Sequence, residues 1–94
     1  MAVYLVTWDL NREKSNYTAA QARLVGRLDA YDSAKDPGLD SVRWVSADWT
    51  ADEVSSDLRG YMDENDKLIV TKLNRGEHQG WLATTVWDWI NARL

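Results

Sequence analysis

The chain has 94 residues, no cysteine and a formal net charge of −4, so it is too short for two separately cored domains and cannot use disulfides or a thiolate metal cluster. The acid excess argues against a protein whose main task is wrapping nucleic acid, because phosphate contacts need a basic surface. No apolar run approaches the roughly 18 residues that span a bilayer, and no basic leader precedes the first apolar segment; a single domain over residues 1–94, without a membrane partner and in the cytoplasm, is expected.

Residues 2–9 predict a strand with apolar side chains on both faces. Val3 and Leu5 point one way, and Tyr4, Val6 and Trp8 the other. A strand covered twice is central in its sheet. Helices account for one covering layer, and the face bearing Tyr4, Val6 and Trp8 is the expected contact with a partner, unless the terminal helix covers it within one chain through Leu82, Val86 and Ile90. The strand ends in an acid, Asp9.

Asn11 to Asn16 is polar, with Ser15 or Asn16 as the helix N-cap. From Tyr17 the apolar positions Ala20, Leu24, Leu28 and Tyr31, with Val25 alongside, recur at offsets of three, four and seven and define a helical stripe. Asp32 to Gly38 is a turn by composition, since Pro37 bars a continuing helix. A strand follows from about Ser41 to Ala47. Thr50-Ala51-Asp52-Glu53 is a capping box, which opens a helix carrying Val54, Leu58, Tyr61 and Met62 on one side. Asp63 to Asp66 breaks that helix, and Lys67 to Leu73 is the next strand.

Asn74 to Gly80 is a polar loop with two glycines. The segment from Trp81 to Leu94 is helical by pattern, with Leu82, Val86, Trp89 and Ile90 on one face and Trp87 and Leu94 at its margin. Trp81 falls toward the polar side. The order fits an α+β, ferredoxin-like β-α-β-β-α-β sandwich with an antiparallel sheet and an added C-terminal helix. Its second strand is the weak position: only Leu39-Asp40 remains for it unless the first helix stops early.

Several segments carry a family resemblance. Tyr4-Leu5-Val6-Thr7-Trp8-Asp9-Leu10-Asn11, Asn16-Tyr17, Leu39-Asp40-Ser41, Asp48 to Glu53 and Asp63 to Val70 resemble small uncharacterised bacterial ferredoxin-fold proteins. These are similar to the small CRISPR-associated nuclease of spacer acquisition and, more distantly, to VapD-type toxins. The likeness covers most of residues 1–73, and its motifs are capping and turn chemistry. The segment before Leu39 departs from the pattern by being longer and more helical. The resemblance implies a homodimer in which Asp9 from each subunit holds one divalent metal such as Mg²⁺, which keeps waters and activates one for phosphodiester attack.

Among individual residues, Asp9 is the metal and catalytic candidate, although an Asp after a strand commonly caps the next turn instead. Arg12, Lys14, Arg23 and Arg27 are candidates for a nucleic-acid-binding rim beside it, set against a reading as ordinary surface charge that the net charge of −4 favours. His78 is the single histidine, which excludes a two-histidine metal site and leaves general acid–base chemistry or a solvated loop position. Six Trp and no Phe fit large core volumes and interface edges alike.

Two functions follow. One is a dimer or higher oligomer formed through the sheet face, without catalysis. The alternative is a metal-dependent endonuclease acting on RNA or DNA, with paired Asp9 carboxylates.

Overall fold

The computed structural model of the protein describes residues 1–11 and 15–94. Seven elements follow in order: β1 (Ala2–Asp9), α1 (Tyr17–Asp29), β2 (Asp32–Ala34), β3 (Val42–Ala47), α2 (Ala51–Arg59), β4 (Lys67–Lys72) and α3 (Thr84–Arg93). The strands form one sheet in the order β2-β3-β1-β4, and every pairing is antiparallel. This is the expected ferredoxin-like α+β arrangement with a C-terminal helix. As its apolar residues on both faces require, β1 lies between two neighbours.

The layers are the reverse of the expected ones. Tyr4, Val6 and Trp8 belong to an interior cluster with Ala20, Leu24 and Leu28 of α1, Val54 and Leu58 of α2, and Val45 and Ala47 of β3. They are 3 %, 0 % and 8 % exposed. The three candidate interface residues are therefore core. The cause is topological: the crossovers through α1 and α2 share one hand, which lays both helices on the same side of the sheet.

The opposite face builds a smaller core. Val3, Trp44 and Leu73 pack there against Val86 and Ile90 of α3, with Leu5, Leu82, Trp87 and Trp89 partly buried around them. The helical stripe expected for the last segment thus meets a sheet, as its pattern requires. The helix begins at Thr84, three residues after the expected start. Ala83 is extended, with φ −57° and ψ 142°, and its N–H donates to the Asp36 carboxylate at 2.7 Å.

The second strand is a further correction. Residues 32–34, read from composition as the start of a turn, pair with Ser46, Val45 and Trp44 as β2. The helix does stop early, at Asp29, and the amides of Ala30 and Tyr31 close on the carbonyls of Arg27 and Leu28. The short strand is then clamped from outside. Asp32 accepts two bonds from the Arg93 guanidinium, at 2.7 and 3.1 Å, and one from the Trp89 indole N–H at 3.3 Å.

Two local devices fix chain direction. The capping box is formed as its spacing dictates: Glu53 N–H donates to Thr50 Oγ1 at 3.1 Å, and Thr50 N–H to Glu53 Oε1 at 2.9 Å. In the acidic turn before β4, the carboxylate of Asp66 accepts from the amides of Asn11 and Asp63 at 2.8 and 3.0 Å. That buried carboxylate joins the end of β1 to the start of β4. No helix among the described residues is long and apolar enough to cross a membrane.

Candidate functional site

Strand alternation puts Asp9 on the α3 side of the sheet, with Val3, Leu5 and Thr7. α3 covers the Val3 end and leaves the Asp9 end open. In the pairing register Thr7 faces Ile69 and Asp9 faces Lys67 on β4. These four residues line a shallow hollow of about 220 Å³. Asp9 and Lys67 are exposed, and Ile69 is 60 % exposed in mid-strand.

Leu5 leads from this hollow to a second, more apolar one of about 350 Å³, whose walls include Leu39, Trp44 and Trp81. Trp81 is 99 % exposed and Leu39 42 %. The open half of this sheet face is thus an apolar surface with Asp9 and Lys67 at its end. The sequence carried a signal for it: Ile69 alternates with Leu68 and Val70, so both faces of β4 bear apolar side chains.

Of the basic candidates, the two among the described residues, Arg23 and Arg27, do not line the Asp9 hollow. Arg12 and Lys14 lie outside the described residues. Arg23 is exposed on α1. Arg27 is committed elsewhere: its Nε and Nη2 donate to the two Asp57 carboxylate oxygens at 2.8 and 3.0 Å. The guanidinium also lies over the Tyr31 ring, 5.4 Å from its centroid. Tyr31 donates its hydroxyl to Asp57 at 2.5 Å and meets Trp49 edge to face. Trp49 in turn accepts a hydrogen bond from the Tyr4 hydroxyl through its carbonyl. Tyr4 precedes Asp9 by five strand positions, roughly 16 Å, so Arg27 serves the far end of the sheet.

The Arg27–Asp57–Tyr31 cluster is a brace between α1 and α2. Burial raises the Asp57 carboxyl, but the bonds from Arg27 and Tyr31 outweigh it and hold the group below the ordinary value of 3.8. Burial, followed by the bond to Asp57, raises the Tyr31 hydroxyl well above its ordinary range. A carboxyl held low adds stability above its ordinary value, and that stability is lost as pH falls through the folded value. Asp57→Asn is therefore expected to cost roughly 1–3 kcal/mol at neutral pH and less in acid. Urea unfolding at pH 7 and pH 3 measures this; a cost that is the same at both would refute the assignment.

No group of three or more His, Cys, Asp or Glu side chains suited to a metal occurs among the described residues. Among the described residues, one carboxylate, Asp9, lines the hollow beside Lys67. A hard cation such as Mg²⁺ needs more oxygen ligands than that, so the described donor set of one chain does not by itself fit a metal. His78 lies away from Asp9, in the loop before α3, where its Nδ1 is 3.0 Å from the Asn74 carbonyl oxygen. Its ring is near-parallel to Trp87, at 20° and 6.1 Å between centroids. Nothing in the sequence pattern announced this pairing. No protein-family model matches the chain, and no curated protein matches it.

Proposed function

We propose that the protein is a non-catalytic self-associating module whose subunits meet through the half-open sheet face. The observation that carries this reading is Ile69, 60 % exposed in the middle of β4 and beside Thr7 in the register. Single exposed apolar residues are ordinary, whereas a run of them on one face marks an association surface. A second copy of this chain suits the surface. Asp9 and Lys67 sit at its end with opposite charges, and a two-fold axis lets each pair with its counterpart across the interface.

Light scattering on the eluting protein at micromolar concentration is expected to give twice the 10.8 kDa chain mass. Ile69→Lys is expected to give the single-chain mass with unchanged helical circular dichroism. A wild-type protein that elutes as a monomer would sink the proposal.

A second reading rests on the position of Asp9, which is exposed on that same open face. If the two-fold axis passes near the Asp9 end, two carboxylates converge and hold one divalent ion, giving a metal-dependent endonuclease. Incubating RNA and DNA with the protein and Mg²⁺ or Mn²⁺, beside an Asp9→Ala control, separates the readings. Cleavage that disappears in the control supports the nuclease; cleavage that survives the substitution rejects it.

A further inference from the structure

Among the described residues six large apolar side chains are exposed, and three of them, Leu39, Ile69 and Trp81, border the two hollows of the open sheet face. Trp81 is the extreme case, 99 % exposed at the rim of the apolar hollow of about 350 Å³. A tryptophan has roughly 150–250 Å² to bury, which makes a ring left wholly in water unusual. The hollow beside it is walled by Leu5, Trp44, Leu73 and Leu82 among others. Its volume is at the low end for sites that enclose a small molecule, which is room for one indole. A knob and a hole thus stand side by side on one surface.

The main chain explains why the knob does not close into its own hole. Asp36 Oδ1 accepts from the Gly38 amide at 2.8 Å, and Oδ2 from the Ala83 amide at 2.7 Å. The Asp36 carbonyl also accepts from the Leu39 amide at 3.0 Å. One aspartate therefore ties the chain beside Leu39 and again two residues after Trp81, and holds both side chains at the rim. A side chain fixed in this way loses little further freedom when a partner covers it.

A knob and a hole on the same surface suit a two-fold dimer, in which residue i of one copy meets j of the other and j meets i. Two exchanged indoles bury roughly 300–500 Å², about a quarter of the roughly 1,200–2,000 Å² that a stable interface covers. Tryptophan is also among the residue types that most often dominate such interfaces.

We propose that a second copy of the chain seats its Trp81 in this hollow and receives the same residue in return. The exchange rests on the association face proposed above and supplies its anchor, so that each hollow is completed only by the partner. It involves no bond-making step.

Sedimentation equilibrium on the full chain reads the dimer dissociation constant. Trp81→Ala, which removes the knob, and Leu39→Glu, which puts a charge on the wall of the hole, are each expected to weaken association about a hundredfold or more. Both positions are exposed, and unchanged far-ultraviolet circular dichroism checks that each variant keeps the fold. Mixed in equal amounts, the two variants are expected to associate about tenfold more tightly than either alone, because the mixed pair still seats the one remaining Trp81 in the one intact hollow. A general loss of apolar surface would give no such recovery. A Trp81→Ala dimer as tight as the wild type, or a mixture no tighter than its separate components, would overturn the exchange and leave association through Ile69 standing. A wild-type monomer at micromolar concentration would overturn both.

Discussion

Leu24→Ala is expected to lower the unfolding free energy by about 3 kcal/mol and the melting temperature by roughly 12–24 °C in a domain of this length. Leu24 is fully buried in the cluster that α1 and α2 form over Tyr4, Val6 and Trp8. Truncation removes one methine and two methyl carbons and leaves a cavity with helix on one side and sheet on the other, so neither wall can close it. Thermal melts followed by circular dichroism check the value, with Ala22→Ser on the exposed side of α1 as the control. A loss below about 1 kcal/mol would mean that the helix layer is loosely packed and that the sheet face beneath it is less enclosed than described.

The second large effect concerns a buried charge. Arg43 stands on β3 opposite Val6, on the helix-covered face, and is 4 % exposed. Its Nη1 donates to Asp29 Oδ1 at 2.7 Å and to Ser33 Oγ at 3.3 Å. Its Nε is buried with no partner among the described residues. Asp29 is mostly exposed, its side chain 63 % accessible, against 5 % for Arg43.

The cost of breaking the pair therefore falls on one side. Asp29→Ala is expected to destabilise by about 2–3 kcal/mol, because it leaves a buried guanidinium uncompensated. Arg43→Met added to it is expected to recover most of that loss, because an apolar side chain of similar length needs no partner. Denaturant titration of both single variants and the double variant gives the coupling directly. If the double variant is no more stable than Asp29→Ala alone, the burial of Arg43 is not what makes the single variant costly.

How much of this was legible in the sequence depended on whether the signal was local. Thr50 and Glu53 stand three residues apart and name their own hydrogen bonds, so the start of α2 could be placed to the residue. Apolar residues on both faces marked β1 as central, and Val86 and Ile90 marked the buried side of α3. β2 was missed because Asp-Ser-Ala has little strand propensity; it is held by pairing with β3 and by Asp32 meeting Trp89 and Arg93, which are 57 and 61 positions away. The same limit explains the inverted layers. Alternation separates Val3 and Leu5 from Tyr4, Val6 and Trp8, but it carries no information on which set the crossover helices will cover. Arg27 looked like free surface charge because its partner, Asp57, lies 30 residues on, and the stacking of His78 on Trp87 joins a loop to a helix with no periodic mark.

The Asp32 clamp has a consequence for how the native state breathes. β2 is three residues long and lies at the sheet edge, and α3 starts without a side-chain cap over the smaller of the two cores. Each holds the other through Arg93 and Trp89. The two should therefore open together as one cooperative unit, well below the free energy of global unfolding. In native-state amide hydrogen exchange, the protons of α3 and β2 would share one modest protection level, while those in the middle of β1 exchange only when the whole chain unfolds.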